Sequence, residues 1–371
     1  MKKNPPFRAD HVGSLLRTPE LHKARVQHEA GQICSEDLKT AENNSIREIV
    51  RIQQEAGLKV ITDGEQRRTF FHVDFLEKIS GVKASIAGYE IKFRGGNKDV
   101  TLAPPILEVG DKLRRDQGLA TDDFRFLQSV TPEGHVAKVC IPSPSMLHFR
   151  GGRDCIDETA YPDLDQFFED LARIYREEIA ELASLGCRYL QLDDTNLAYL
   201  CDPEHRQRVS ELGENPDELP ALYARLISEC VKDRPADMAV GIHLCRGNHR
   251  SAWAAEGGYE PVAEVMFNET DVDAFFLEYD DARSGGFSPL RFVPKDKRVV
   301  LGLVSSKVPT LESRDEIKGR IQEAAQFIDL EQCCLSPQCG FSSTHEGNDL
   351  SFSQQSAKLR LVADIAAEVW G

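Results

Sequence analysis

The sequence has no apolar run that approaches the ~20 residues needed to cross a bilayer, which excludes an ordinary membrane-spanning helix. Its amino terminus, MKKNPPFRADHVGS, also lacks the apolar segment of a secretory signal. Ten cysteines without such a signal are better explained as reduced thiols than as a disulfide framework. We therefore expect a cytoplasmic protein.

Positive charge is scarce. The chain has 45 Lys and Arg residues against 61 Asp and Glu residues, which gives a formal net charge of −16. Nucleic acids and anionic membranes are bound by clusters of Lys and Arg. The charge balance therefore argues against both classes of partner.

No Pro/Ser-rich linker, low-complexity tract or internal repeat divides the 371 residues. A chain of this length could form one large α/β barrel or two ordinary domains. Its hydrophobic fraction of 41% is ample for a large core. The absence of a linker favours a single domain over residues 1–371.

Short apolar segments alternate with helical patterns along the chain. The predicted strands lie at 7–16, 58–64, 135–141, 187–194, 238–245, 272–279, 298–304 and 333–339. Helical periodicity predicts helices at 35–57, 162–186, 314–328 and 351–370. Eight strand–helix alternations predict an α/β fold of the (β/α)8 TIM-barrel class. The stretch 82–97 reads as a β-hairpin after the second strand, within an insertion at about 80–130.

Two thiols and one imidazole, from two distant parts of the sequence, are candidate metal ligands. His243 and Cys245 form a His-x-Cys pair, and alternate residues of a strand share a face. Cys339 follows far along the chain in SPQCGFSS. Imidazole and two thiolates suit zinc, and three protein ligands with an exchangeable fourth position are typical of catalytic zinc. Such a metal can bind a substrate thiol and present it as a thiolate.

The barrel prediction places these residues together. Active sites of such barrels lie at the carboxyl ends of the strands. His243 and Cys245 fall at the end of the fifth predicted strand, Glu278 at the end of the sixth, and Cys339 just past the eighth. The four side chains should therefore meet at one rim.

The chain resembles the catalytic barrel of cobalamin-independent methionine synthase, particularly its short single-barrel relatives. The resemblance is carried in this order by HVGSLLRT (11–18), VITDGEQRR (60–68), LQLDD (190–194), HLCRGN (243–248), FFLEYD (275–280) and SPQCGF (336–341). It implies zinc-dependent transfer of a methyl group to the thiol of homocysteine, giving methionine. The implied zinc ligands are His243, Cys245, Glu278 and Cys339, with Glu278 loosened when the substrate thiol binds.

The resemblance also implies a homocysteine site at the backbone of Val12 and Ser14 and at the carboxylates Glu65 and Asp193. An ammonium group that becomes buried needs an anionic partner, which these carboxylates could supply. Backbone N–H groups of the 12–14 turn could receive the substrate carboxylate. Arg246 is a further candidate for an anionic substrate group. Asp193 and the loosened glutamate are the catalytic candidates.

Two departures from the long synthase leave the methyl donor open. The chain has no room for the preceding barrel that helps to bind folate, and Val304 stands where the family has a histidine acid. A folate, a corrinoid or a sulfonium could therefore be the donor. Lys307 could attract an anionic donor, and His148 or a bound water could replace the missing acid.

Two other functions stay open at this point. One is a zinc-dependent alkyltransferase or lyase that acts on another thiol, such as coenzyme M. The other is a zinc-binding barrel without catalysis. A sulfonate thiol would need cations where Glu65 and Asp193 lie, which favours an amino-acid thiol. The sequence leaves the oligomeric state open, with a homodimer as one option.

Overall fold

The computed structural model describes residues 5–85, 90–95 and 100–371, in which strands and helices alternate. The strands are β1 (Val60–Ile61), β2 (Ser80–Ser85), β3 (Ile91–Phe93), β4 (Val100–Leu102), β5 (Ile106–Arg114), β6 (Val136–Ala137), β7 (Val139–Pro142), β8 (Tyr189–Asp194), β9 (Ala239–Leu244), β10 (Ala274–Glu278), β11 (Arg298–Val304) and β12 (Cys333–Pro337). The helices are α1 (Pro19–Glu29), α2 (Ser35–Glu55), α3 (Val73–Leu76), α4 (Thr121–Val130), α5 (Leu164–Ser184), α6 (Asn196–Tyr199), α7 (Pro203–Glu211), α8 (Leu219–Val231), α9 (Glu260–Glu269), α10 (Arg314–Ala324) and α11 (Phe352–Trp370).

The helices begin where side chains can cap them. The Asp163 carboxylate accepts a hydrogen bond from Asp165 N at the start of α5, and Ser351 and Gln354 form a capping box at the start of α11. Helix α2 buries Ile46 and Ile49 on one face, as its periodicity predicts. The four predicted helices are confirmed as α2, α5, α10 and α11. No described helix combines the length and the apolar character that a membrane crossing demands.

Six strands form a parallel sheet in the order β12-β11-β10-β9-β8-β7. These strands are almost wholly buried, which explains their continuous apolar sequences. The register aligns Asp193 of β8 with His243 of β9, and His243 with Phe276 of β10, two residues before Glu278. The polar residues at the carboxyl ends therefore lie at one level.

Further contacts lie at both edges of this sheet. Strand β1 pairs in parallel with β6, which Lys138 joins to β7, and Lys138 N donates to Ile61 O at 2.8 Å. At the other edge, Ala9 forms a parallel bridge with Leu335 of β12. The described fold is thus mixed α/β with a parallel six-stranded sheet; the closed eight-stranded barrel remains a prediction.

The predicted first strand at 7–16 is wrong as a strand. Beyond the bridge at Ala9, the Asp10 carboxylate accepts hydrogen bonds from the backbone N–H groups of Phe7 and His11, which turns the chain. Gly13 then has a φ of +136°, a conformation that breaks extended pairing. The segment therefore pairs with β12 only around Ala9, where Asp10 N donates to Leu335 O at 2.9 Å and Leu335 N donates to Arg8 O at 2.8 Å.

The segment after β1 contains antiparallel strands, but their pairing differs from the predicted hairpin at 82–97. Strand β2 pairs with β5, and β3 pairs with β4. Residues 86–89 and 96–97 of the predicted hairpin lie outside the described residues. Arg94 and Trp253 exchange backbone hydrogen bonds of 2.6 and 2.9 Å, which fix this segment to the loop after β9.

Candidate metal and substrate site

Four potential ligands meet at the carboxyl ends of the strands. One ligand atom from each of His243, Cys245, Glu278 and Cys339 lies within 4.8 Å of all the others, and all four residues are buried. The two sulfur atoms are 3.3 Å apart. The sequence prediction that these residues converge is confirmed by this geometry.

The donor atoms fit a metal ion. Neither ring nitrogen of His243 has a hydrogen-bond partner in the described part of the chain, although the ring is buried. The hydrogen bond from Cys245, with help from His243, holds the pKa of Cys339 well below its usual value. The same contact and burial raise the pKa of Cys245. The pair therefore shares one proton, and a cation would release it.

Glu278 is held by the protein from two sides. Its Oε1 accepts a hydrogen bond from Arg246 N at 2.6 Å, and its Oε2 accepts one from Arg283 Nη2 at 2.5 Å. Burial raises the pKa of Glu278, and Arg283 opposes that shift. These two donors would hold the Glu278 carboxylate in place whether or not it binds a metal ion.

A cavity of about 680 Å³, its mouth included, opens beside the potential ligands. His243, Cys245 and Cys339 line it. Its remaining polar lining includes Ser14, Glu65, His72, Arg150, Asp193, Asp194, Asn248 and His249, and its apolar lining includes Val12, Phe70, Phe71, Ile91, Phe93, Leu102 and Pro104. Because Ile91, Phe93 and Leu102 belong to β3 and β4, the antiparallel segment covers the site.

Within the described part of the chain, Glu65 and Asp193 each offer one carboxylate oxygen that has no hydrogen-bond partner. Asp193 Oδ1 accepts a hydrogen bond from Gln191 Nε2 at 2.7 Å, whereas Asp193 Oδ2 and Glu65 Oε2 are buried and unpaired among the described residues. Burial raises the pKa of Glu65 to about 8 and that of Asp193 to about 6, and the charge of Asp193 adds to the shift of Glu65. A bound cation would lower both pKa values, so the pair suits a cationic group.

The 12–14 turn offers backbone donors. Gly13 is required there, because a Cβ atom would lie 2.6 Å from Cys140 Sγ at a φ of +136°. Leu15 N donates to Gly64 O, whereas the N–H groups of Val12 and Ser14 have no partner within the described ranges. This turn could receive an anion.

Comparison with known proteins places the chain. A profile described as the catalytic domain of cobalamin-independent synthase matches residues 7–367. The chain belongs to this family.

Several relatives are of similar length and align with most or all of this chain. The uncharacterized protein YxjH of Bacillus subtilis (strain 168) is 46% identical over 370 residues, covering 100% of this chain and 96% of that protein. A methionine synthase of Pyrococcus horikoshii is 27% identical over 336 residues, covering 89% and 84%. A crystal structure of a protein assigned as a vitamin-B12-independent methionine synthase, from Listeria monocytogenes, matches with a TM-score of 0.79 at 37% identity, covering 100% and 99%. The enzyme is thus a methyltransferase of the cobalamin-independent synthase family.

Most of the predicted substrate residues of this synthase-family enzyme line the same cavity, namely Val12, Ser14, Glu65 and Asp193. Arg246 does not. Its guanidinium is fully buried and stacks over the ring of Tyr259 at 4.2 Å, and only its backbone N–H reaches the ligand set.

The three residues that the sequence analysis connected with the methyl donor lie outside the cavity. Val304 is buried and does not line the cavity. His148 contacts Tyr223 at 2.9 Å and Glu214 at 3.3 Å, away from the cavity. Lys307 forms an ion pair with Asp280 at 2.5 Å.

Two further histidines, neither of them among the predicted site residues, line the cavity. His72 Nε2 accepts a hydrogen bond from Arg150 Nη1 at 3.1 Å. His249 lies 3.3 Å from Thr344 Oγ1 and 3.4 Å from Glu346 Oε2. Burial lowers the pKa of both histidines. One indication of their role is present in the sequence, which is their position close to predicted site motifs: His249 ends HLCRGNH, and His72 lies in FFHVDF.

Proposed function

We propose that this enzyme transfers a methyl group to the thiol of homocysteine and so produces methionine, with zinc held by His243, Cys245, Glu278 and Cys339. The observation that carries the proposal is one cavity that joins His243, Cys245 and Cys339, which meet Glu278 behind them, to the carboxylate oxygens of Glu65 and Asp193 that are unpaired among the described residues. The first set suits a thiol and the second an ammonium group, which are the two ends of an amino-acid thiol.

The architecture that we propose is a single (β/α)8 barrel over residues 1–371 with an insertion at about 80–130. The parallel bridge from Ala9 to Leu335 and the hydrogen bond from Leu15 N to Gly64 O support closure between β12 and β1. Such closure would make the cavity the carboxyl-end mouth of the barrel.

Zinc fits the ligand set because imidazole, thiolate and carboxylate are its ordinary ligands in proteins. When bound, it would act as a Lewis acid that lowers the pKa of a substrate thiol. Arg246 N and Arg283 would hold the Glu278 carboxylate if the thiol takes its place, since both already donate to it.

The remaining residues would orient the substrate. Asp193 and Glu65 would receive the ammonium group, and the N–H groups of Val12 and Ser14 would receive the carboxylate. The apolar wall from β3 and β4 would limit access of water, which strengthens both contacts.

Homocysteine binding should release more protons than binding of its des-amino analogue, which lacks the amino group. Each thiol should lose about one proton near neutral pH, because the free thiol has a pKa of ~8–9. Homocysteine should release an additional fraction, because its ammonium lowers the raised pKa of Glu65. Calorimetry in buffers of different ionisation enthalpy would count the protons. Tight binding of either thiol with no proton release would contradict metal activation.

We expect slow or absent turnover with methyltetrahydrofolate alone, and faster turnover with a methylcorrinoid or a methyl sulfonium. A folate amine leaves poorly unless an acid protonates it. Besides His243, the described histidines that line the cavity are His72 and His249, and burial lowers the pKa of both, so that neither readily holds a proton.

A matrix of donors against thiols, with zinc-loaded enzyme, would test both halves of the reaction. Homocysteine, the des-amino analogue and coenzyme M would serve as acceptors. Homocysteine should be preferred, since a sulfonate would meet the carboxylates of Glu65 and Asp193. Preference for coenzyme M would support the alkyltransferase function instead. Rapid turnover of homocysteine with methyltetrahydrofolate and no helper protein would show that the folate amine can leave without a stronger acid than the residues of this cavity provide.

A further inference from the structure

A series of buried polar side chains, linked by hydrogen bonds, leads across neighbouring strands to Asp193. Tyr189 donates through its hydroxyl to Asp10 Oδ2 at 2.8 Å, and Asp10 Oδ1 pairs with Lys138 Nζ at 2.9 Å. Lys138 Nζ donates to Gln191 Oε1 at 3.0 Å, and Gln191 Nε2 donates to Asp193 Oδ1 at 2.7 Å. The first four side chains are completely or almost completely buried.

Lys138 fixes the orientation of the Gln191 amide. A lysine ammonium can only donate hydrogen bonds, so the oxygen of Gln191 must face it. The amide nitrogen of Gln191 is then turned toward Asp193 Oδ1 and toward Val12 O, which lies 2.5 Å away. A flipped amide would place oxygen against both acceptors.

The same amide therefore controls two parts of the substrate site. By occupying Asp193 Oδ1 it leaves only Oδ2 for a ligand, and by holding Val12 O it fixes the peptide that leads into Gly13. Cys140 Sγ also approaches Val12 O, at 3.3 Å. Without Gln191 the Asp193 carboxylate would be free to rotate, and a buried carboxylate oxygen would lose its donor.

We propose that Gln191 is a positioning residue for the ammonium end of the acceptor, with Lys138 and Asp10 as its buried anchor. This inference rests on the proposed function, in which Asp193 receives the ammonium group. Gln191 itself does not line the cavity. Its effect should therefore reach the substrate only through Asp193 and Val12.

The test compares Gln191→Met and Gln191→Glu in the full chain loaded with zinc. Methionine keeps the approximate volume but donates nothing, and glutamate presents an oxygen where the amide nitrogen donated. Affinity for homocysteine should fall roughly 10–100-fold in Gln191→Met, the range for losing a residue that orients a ligand group. It should fall further in Gln191→Glu. Affinity for the des-amino analogue should change much less.

Gln332→Met is the matched control, because Gln332 is also buried and donates to backbone oxygens, at Pro294 and Lys297, but does not contact the site. It should leave the ratio of the two affinities unchanged. If wild-type enzyme shows no preference for homocysteine over the analogue, the ammonium site in the proposed function is wrong. If wild type shows the preference and Gln191→Met keeps it, only the role of Gln191 is wrong.

A structure of the wild-type enzyme with bound methionine gives a second test that does not depend on the folding of a variant. The amino nitrogen should lie within hydrogen-bond distance of Asp193 Oδ2 while Gln191 still donates to Oδ1. An amino group bound elsewhere, or a Gln191 amide turned away from Asp193, would overturn the inference.

Discussion

Replacing Cys339 with serine is expected to lower the bound zinc well below one ion per chain. Methyl transfer should fall on the order of a thousandfold or more, since metal activation contributes several kcal/mol. Of the two sulfur atoms, Cys339 Sγ is the one better suited to carry negative charge, because the hydrogen bond from Cys245 and the nearby imidazole of His243 hold the pKa of Cys339 below its usual value. A serine hydroxyl would stay protonated there and would offer a much poorer ligand.

Metal analysis and X-ray absorption would measure this effect. Wild-type enzyme should contain stoichiometric zinc with two sulfur ligands and two lighter ligands. The Cys339→Ser variant should retain little zinc, and what it retains should show one sulfur.

Cys334→Ser is the matched control, because Cys334 is equally buried in β12 but packs against Val60 and Phe276 instead of the ligand set. It should lose some stability and keep its zinc. Unchanged zinc content in Cys339→Ser, or full activity of metal-free enzyme, would overturn the assignment of the ligands.

The strand ends could be predicted because a buried parallel strand appears in the sequence as a short, continuous apolar segment. Strands β8 to β12 all lie within the predicted segments. When these segments are taken as parallel strands, all their carboxyl ends lie at the same edge of the sheet. A residue at the carboxyl end of any one of them is therefore predicted to lie at that edge. This is why His243 and Cys339, 96 residues apart in sequence, could be placed together. The resemblance, and not the pattern, supplied the roles of Val12 and Ser14.

The antiparallel segment could not be predicted in the same way. Strand β3 has only three residues and pairs with the next strand, β4, whereas β2 pairs with β5 beyond both of them, so the pairing could not be assigned from the order of apolar residues alone. The apolar wall of the cavity therefore came only from the structure. The same holds for His72, which reaches the site because Arg150 fixes its ring.

The error at Arg246 has a simpler cause. Successive side chains of an extended segment point in opposite directions, so Arg246 should face away from the cavity that Cys245 faces. The guanidinium indeed stacks over Tyr259. Alternation along the chain could have excluded Arg246 from the substrate site before the structure was known.

Asp193→Asn should cost ~2–5 kcal/mol of homocysteine binding, the scale for removing one partner of a buried charge pair. The arrangement around this residue makes the asparagine worse than a neutral acceptor. Gln191 donates to Oδ1, so the asparagine oxygen should remain on that side. Its amide nitrogen would then occupy the place of Oδ2 and would present hydrogen atoms to the ammonium group.

Comparison of homocysteine with its des-amino analogue separates this effect from general damage. The analogue should lose far less affinity, because it brings no cation to Asp193. Asp202→Asn is the matched control, since Asp202 is also buried but lies outside the cavity, where it accepts from Glu204 N and Glu256 N, so the substitution should affect both thiols alike.

The preference for homocysteine should also depend on pH in wild-type enzyme. Burial raises the pKa of Asp193 to about 6, and a carboxyl group loses its charge as the pH falls below its pKa. The preference should therefore weaken progressively as the pH drops from about 8 through about 6, because Glu65, whose pKa burial raises to about 8, loses its charge before Asp193 does. Thiol ionisation affects both ligands equally and cancels in the ratio. Equal losses for both thiols in Asp193→Asn, with a ratio that does not change with pH in wild type, would assign Asp193 a structural role.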